Sequence, residues 1–396
     1  MSKSKGPPRR AGKQDVRQAS RVPHILHIHS TFSPGGKELR CVQLINAFGA
    51  KARHTIVSAE PDQLGAAKRI RPGIAVTLQP DFPALKGLPT PGRLQKLAKA
   101  MRGYDLVLTY NWGAMDAVMA HTLFSEAFDL PKLIHHEDGF DESELVKRKQ
   151  RRTWFRRIAL GKSSGLVVPS SVLEEIALVE WQQPLGRVKR IPNGIDTGAF
   201  AAKPKTDAIP RLLKRPGEKW VGTMAGLRPV KNLPRLVRAF AAMPDDWHLI
   251  VCGEGPDRAR IEAEIDRLEL NDRVHLPGAV DDPAKVVGLF DIFALSSDSE
   301  QFPLSVVEAM AAGRAVVAPE VGDIADIVAE ENRAYLADTP SEEAIASELV
   351  ALSDDAKLRD TVGKANRAKA RAQFDADKMI ATYRRLYSSA MHGFDL

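Results

Sequence analysis

Residues 296–313 read SSDSEQFPLSVVEAMAAG, and the fold follows from them. Asp291-Ile292-Phe293-Ala294-Leu295, just before, has the apolar run of a short buried strand. Phe302-Pro303-Leu304-Ser305 has the form of a helix opening, because proline is tolerated in a first helical turn, where its missing N–H costs nothing. Gly313 is where that helix should stop. A helix start offers free backbone N–H groups and the positive end of a dipole, which suits a phosphate. Glu300 then lies on the loop after a strand, and Glu308, eight positions on, about a turn and a half into the helix. In an open α/β sheet that is the binding crevice. The pattern fits a ligand with a diphosphate in the middle and hydroxyl-bearing sugars on both sides.

The same alternation of strand and helix runs through the chain, as in βαβ units built on parallel sheets. Strands are predicted at 24–29, 54–58, 74–78, 105–109, 132–135, 165–169 and 188–191, with helices between most of them, for example at 37–48 and 116–128. Residues 201–218 carry Pro, Lys and Asp and break the pattern. It restarts with strands at 219–224, 248–252, 274–276, 292–295 and 315–318, and a last helix is predicted at 375–389. The expected division is a basic tail at 1–22, a first Rossmann-like domain at 23–200, a linker at 201–218, a second at 219–374 and a C-terminal helix at 375–396. A chain of 396 residues is long enough for two cores.

Hydrophobic content of 44% and charged content of 27% are globular values. No apolar run approaches the length of a membrane span, and the N-terminus has no apolar signal region. Cys41 and Cys252 fall in different expected domains and form no disulfide framework, so a cytoplasmic location is expected. The net charge of +7 is concentrated at the start. Lys3, Lys5, Arg9, Arg10, Lys13, Arg17 and Arg21 face Asp15 alone in residues 1–22, and the rest of the chain is close to neutral. That tail lacks periodicity and is expected to be disordered, either as a solvated leader or as an electrostatic tether to an anionic membrane on its inner face. No nucleic-acid-binding motif accompanies the charge, so no nucleic-acid partner is expected.

Other motifs sit at strand ends. Ser33-Pro34-Gly35-Gly36-Lys37-Glu38 follows the first strand and opens a helix, and paired glycines let a backbone approach a phosphate closely. Ala225-Gly226-Leu227-Arg228-Pro229-Val230-Lys231-Asn232 follows the first strand of the second half, and Lys and Arg are natural counter-charges for a diphosphate. Val251-Cys252-Gly253-Glu254-Gly255-Pro256 is a strand and a glycine turn, whose Gly253 and Gly255 should shape a wall. Ile134-His135-His136-Glu137-Asp138-Gly139-Phe140-Asp141 ends a strand of the first half. Alternation there pairs His135 with Glu137 and His136 with Asp138, which gives no full zinc set. No metal is expected. Asn193-Gly194 in Ile191-Pro192-Asn193-Gly194-Ile195-Asp196 signals a turn.

Together these motifs closely resemble glycosyltransferase family 4, over residues 22–390. The resemblance rests on Glu300-x7-Glu308 in its strand and EAMAAG context, the Gly35-Gly36-x-Glu loop, Pro192-Asn193-Gly194-Ile195-Asp196 and Gly253-x-Gly255-Pro256. It implies a GT-B architecture, two Rossmann-like doubly wound parallel-sheet domains facing across a cleft, with the last helix crossing back to the first. It implies a retaining transferase that moves a sugar from a nucleoside diphosphate sugar to an acceptor hydroxyl. In that reading Glu300 lies by the transferred sugar and Glu308 by the ribose. Lys231, Arg228 and the helix start Phe302, Pro303, Leu304 and Ser305 meet the diphosphate. Gly35 and Gly36 reach it from the first domain. One of the two histidines faces the reacting sugar, with His136 preferred over His135, and Glu137 and Asp138 fall on the acceptor side.

Two departures matter. Gln301 stands where the family usually has Gly. Gly226 stands where it usually has Arg, so either Arg228 turns inward as a substitute or the pocket lacks one cation. The second option keeps open a sugar-nucleotide-binding protein without transfer activity. The acceptor is expected to be a carbohydrate or lipid-linked, in envelope glycan synthesis. Residues 147–157 bear on this, because Lys147, Arg148, Lys149, Arg151, Arg152, Arg156 and Arg157 surround Trp154 and Phe155. They read either as a solvated helix or as an interface for an anionic acceptor or membrane.

Overall fold

The computed structural model describes residues 21–140, 144, 148–391 and 394–396. The basic tail up to residue 20, Asp141 and Lys147 lie outside the described residues. Among the described residues, thirteen strands form two sheets. The first sheet contains β1 (His24–His29), β2 (Arg53–Ser58), β3 (Val76–Leu78), β4 (Leu106–Tyr110), β5 (Lys132–His136), β6 (Gly165–Val168) and β7 (Val188–Arg190), in the order β3-β2-β1-β4-β5-β6-β7. The second contains β8 (Lys219–Met224), β9 (Trp247–Cys252), β10 (Val274–Gly278), β11 (Ile292–Ala294), β12 (Ala315–Pro319) and β13 (Leu336–Ala337), in the order β10-β9-β8-β11-β12-β13. Each sheet winds outward in both directions from its first strand. Ligands in such sheets bind past the carboxyl ends of the strands where the order reverses. Those strands are β1 and β4 in one sheet, and β8 and β11 in the other.

The chain divides into two compact units. One takes in residues up to Glu137 with Gln150–Leu166 and Thr382–Leu396, the other Asp138–Lys149 and Val167–Ala381. The second sheet is covered on both faces, as a parallel sheet must be. Trp220, Ile250, Phe293 and Val316 enter one apolar cluster. Their strand neighbours Val221, Leu249, Ile292 and Val317 enter another. This is period-two alternation with both sides dry.

Most predicted strands sit within a residue or two of their observed places. The strand expected at 74–78 is shorter, Val76–Leu78, and the helix expected at 116–128 is Met115–Phe124. The helix after β11 runs Leu304–Ala311, with Pro303 at its N-cap rather than inside its first turn. It ends in a Schellman arrangement. Gly313 N–H donates to Met310 O at 2.8 Å and Arg314 N–H to Ala309 O at 2.9 Å, with Gly313 at φ +72°. The Asn193-Gly194 turn leads into a seat for the last helix, Ala376–Ala390. Ile195 N–H donates to Phe374 O at 3.0 Å, Ala376 N–H returns to Ile195 O at 2.9 Å, and Thr197 Oγ1 donates to Asp375 Oδ2 at 2.5 Å.

Candidate active site

At the switch point of the second sheet, the loops after β8 and β11 are stitched together by backbone. Asp298 N–H donates to Val230 O at 2.8 Å, and Ser296 Oγ donates to Lys231 O and Asn232 O, each at 3.0 Å. These bonds set Lys231 beside Glu300. Lys231 Nζ is ion-paired to Glu300 Oε1, which also accepts from Ser297 Oγ at 2.6 Å. Both side chains are largely buried, so the charges are weakly screened.

Arg228 is exposed, and its guanidinium folds back over Gly226. A Cβ built on Gly226 would lie 3.5 Å from Arg228 Nε, so the arginine covers the position that bears no side chain. Among the described residues its side chain has no ion-pair partner. Glu308 lies on the helix Leu304–Ala311 at the same sheet end, and burial alone pushes its carboxyl up to about 7.

The glycine turn after β9 packs closely against the loop after β8. Gly253 and Gly255 have φ of +155° and +158°, and a Cβ on either would run into the carbonyls of Ala225 and Leu227. Leu227 N–H in turn donates to Glu254 O at 3.0 Å, so this turn fixes the loop that carries Arg228 and Lys231. Phe302 packs edge-on against Phe374.

In the first unit, Gly35 is the extended N-cap of the helix Gly36–Phe48, and Gly36 is exposed. Glu38, buried in that first turn, pairs with Lys37 and turns its carboxylate toward Gly35.

At the end of β5, three of the four side chains placed on the acceptor side by the resemblance are buried. His136 is buried, with Nδ1 3.2 Å from Thr109 O and Nε2 2.8 Å from the Tyr387 hydroxyl. His135 is buried on the other side, with Nδ1 2.8 Å from Thr109 Oγ1 and Nε2 3.8 Å from Glu137. Glu137 is buried in an ion pair with Arg156 Nε at 3.1 Å. Each of these three side chains therefore has a partner within its own unit that helps to fix the strand end. Asp138 is half-buried.

The basic segment is partly buried. On the helix Gln150–Ala159, Arg156 points inward and stacks over Trp112 at 4.9 Å, where Arg152 also lies at 4.6 Å. Trp154 and Ile158, one turn apart, are more than half exposed. Arg157 lies over Trp154 at 4.4 Å.

The sequence model for glycosyl transferases group 1 matches residues 204–369, and that for Glycosyltransferase Family 4 matches residues 34–199. The chain belongs to the family 4 glycosyltransferases of the GT-B fold. It is 26% identical over 210 residues to N-acetyl-alpha-D-glucosaminyl L-malate synthase of Bacillus anthracis, covering 52% of this chain and 55% of that one. It is 28% identical over 272 residues to a GDP-mannose-dependent alpha-mannosyltransferase of Mycolicibacterium smegmatis, covering 66% and 69%. Anabaena HepE, solved in complex with UDP, superposes with a TM-score of 0.77 at 21% identity, over 92% of this chain and all of that one. Glycosyl transfer is therefore the activity class of this glycosyltransferase.

Sequence reading passed over Ser297, the second partner of Glu300, because one serine in a polar loop carries no spacing signal. It also passed over Asp323. That carboxylate accepts from the N–H groups of Ser171 and Val172 at 2.6 and 3.1 Å, and so caps the helix Ser171–Val179 from a distant loop.

Proposed function

We propose that this family 4 glycosyltransferase is retaining and moves a hexosyl group from a nucleoside diphosphate sugar to an acceptor hydroxyl in envelope glycan or glycolipid synthesis. The observation that carries the reading is the Lys231–Glu300–Ser297 cluster at the second sheet's switch point, with Arg228 folded over Gly226. Lys231, Arg228 and the start of the helix Leu304–Ala311 stabilise the leaving diphosphate, where charge develops. Glu300 orients sugar hydroxyls, and Gly35 and Gly36 keep the phosphate-side part that the resemblance gives them. The reaction so written takes no metal cofactor. The complex of HepE with UDP and the GDP-mannose dependence of the mycobacterial relative support a nucleotide-sugar donor.

A thermal-shift panel of nucleotide sugars tests the donor class. A donor at one hundred times its Kd should stabilise the protein by about 2.7 kcal/mol. No shift with any of them would overturn the reading.

With the donor in hand, Glu308 makes a pH prediction. Its folded pKa of about 7 lies above the ordinary 4.5. The empty protein's stability from this group is therefore fully present below pH 4.5 and lost as pH rises through 7. An ionised carboxylate accepts both ribose hydroxyls, whereas a protonated one accepts less well. Donor affinity should rise between pH 5.5 and 7 and then level off. Glu308→Gln should flatten that profile and weaken binding about tenfold to a hundredfold, the loss of charge-assisted hydrogen bonds. Calorimetry showing an unchanged profile in the variant would remove Glu308 from the ribose.

Trp154 and Ile158, exposed beside Arg151 and Arg157, support peripheral attachment to the inner face of an anionic membrane and a lipid-linked acceptor. Among the described residues no helix is long and apolar enough to cross a membrane. Each cation near such a surface contributes about 1 kcal/mol. Co-sedimentation with anionic vesicles should appear at low salt, weaken in Trp154→Ser, and vanish at high salt, where exposed charges are screened. Absence of binding at low salt would leave a soluble carbohydrate acceptor.

A further inference from the structure

Inside the first unit is a polar cluster that the transfer reaction does not use. His27 and His29 point to the same face of β1, and Cys41 reaches that face from the helix Gly36–Phe48. All three are at most 2% exposed. One ligand-capable atom from each lies within 4.8 Å of the other two, and Cys41 Sγ is 3.3 Å from His27 Nδ1. Their surroundings are aromatic and polar. His27 Nε2 is 3.0 Å from His54 Nδ1, and the Tyr110 hydroxyl lies 3.1 Å from His27 Nδ1 and 3.7 Å from Cys41 Sγ.

His29 is the informative member. Its ring stacks on Tyr110 with centroids 3.9 Å apart, which satisfies the ring face but not the ring edge. Neither of its nitrogens has a hydrogen-bond partner among the described residues, although the side chain is fully buried. Leaving a buried polar atom unpaired carries the full desolvation penalty of that group. An imidazole at the end of a core strand could be replaced by a leucine at no such cost, so stacking alone is a poor account of it.

We propose that His27 Nδ1, His29 and Cys41 Sγ bind a closed-shell, thiophilic cation, Zn²⁺ or Cu⁺, as a structural site beneath the glycine loop. Two imidazoles and a thiolate are ligands that both ions favour. Bonds of about 2.0–2.3 Å to one tetrahedral ion place donor atoms about 3.3–3.8 Å apart. The His27–Cys41 pair already meets this distance, and His29 lies within 4.8 Å of both, close enough to reach it by a small side-chain adjustment. The partners outside the ligands are in place too. With Nδ1 on the metal, His27 donates its Nε2 proton to His54, which fixes the tautomer, and the Tyr110 hydroxyl donates to the thiolate. Binding releases the Cys41 thiol proton to solvent.

His29 is the last residue of β1 and Cys41 lies six residues past Gly35. An ion between them would clip together the two flanks of the loop that carries Gly35 and Gly36.

The test is metal analysis of the full chain, purified without chelator and then challenged separately with Zn²⁺ and with Cu⁺ under anaerobic conditions. The expected result is about one equivalent of one of these ions retained through desalting, with a higher Tm than the chelator-treated protein. Co²⁺ loading should give a thiolate-to-cobalt charge-transfer band that Cys41→Ala lacks. His29→Phe, which keeps the aromatic stack, should fold and retain less than a tenth of the metal. Two results would overturn the site: wild-type protein that retains neither ion and shows no Tm shift, or an equivalent of metal that persists in both variants. The wild-type measurement stands even where a variant fails to fold.

Discussion

Turnover should fall by about two to three orders of magnitude in Lys231→Ala, the usual consequence of removing one fixed donor from a site of developing charge. Lys231 is not held by chance. The two bonds from Ser296 Oγ and the Asp298–Val230 bond hold its backbone, and Glu300 holds its ammonium. The paired state is also a cost, because an incoming diphosphate must compete with Glu300 for the lysine. Lys231→Arg therefore separates charge from placement: it keeps the cation but not the point geometry, and should recover only part of the rate. Arg228→Ala should also slow turnover strongly, since its guanidinium covers the cation position left vacant at Gly226. The double variant should be less impaired than the product of the singles, because both cations serve one diphosphate. A kinetically silent Arg228→Ala would mean that the pocket works with one cation and that Arg228 is only a surface side chain.

Why was the place of Lys231 and Glu300 at strand ends legible in the sequence, and the burial at the end of β5 not? Strand–loop–helix punctuation is local. Pro303 and Gly313 bound the helix after β11, and the apolar run before Glu300 marks its strand, so the carboxyl end of β11 is visible without a fold. Alternation at β5 correctly pairs His135 with Glu137. It does not say which side is inside, because a strand in a parallel sheet is buried on both faces. Only the packing of Thr109, Tyr387 and Arg156 around these residues shows that His136 and His135 are held within the unit. Arg156 is hidden for a related reason. Seven cations in eleven residues read as solvated charge. A buried arginine becomes legible only when a buried carboxylate from another element is placed against it. Arg228 is an intermediate case: the sequence shows that it is two residues out of register, and the close approach of its Nε to Gly226 emerges only in the folded loop.

Removing the buried arginine should have the largest effect on stability. In Arg156→Ala, Glu137 keeps its charge in a site from which both side chains are almost wholly hidden. Breaking a buried pair from one side costs about 3–5 kcal/mol, mostly the penalty of the orphaned charge. Urea denaturation should show a midpoint lowered by that loss divided by the slope, with the slope itself unchanged because it is set by the surface exposed on unfolding. The control is Arg156→Met with Glu137→Leu. Exchanging both ions for apolar groups of similar volume is often neutral, so the double variant should regain most of the lost stability, less the stacking of Arg156 on Trp112. A shift below about 1 kcal/mol in Arg156→Ala would mean that the carboxylate finds solvent or a proton, and that the pair does not anchor the strand end. Activity in the double variant decides the remaining question. If the stabilised protein keeps its turnover, Glu137 is structural, as its burial argues. If stability returns and turnover does not, Glu137 takes part in holding the acceptor, and the placement made here for the end of β5 is wrong.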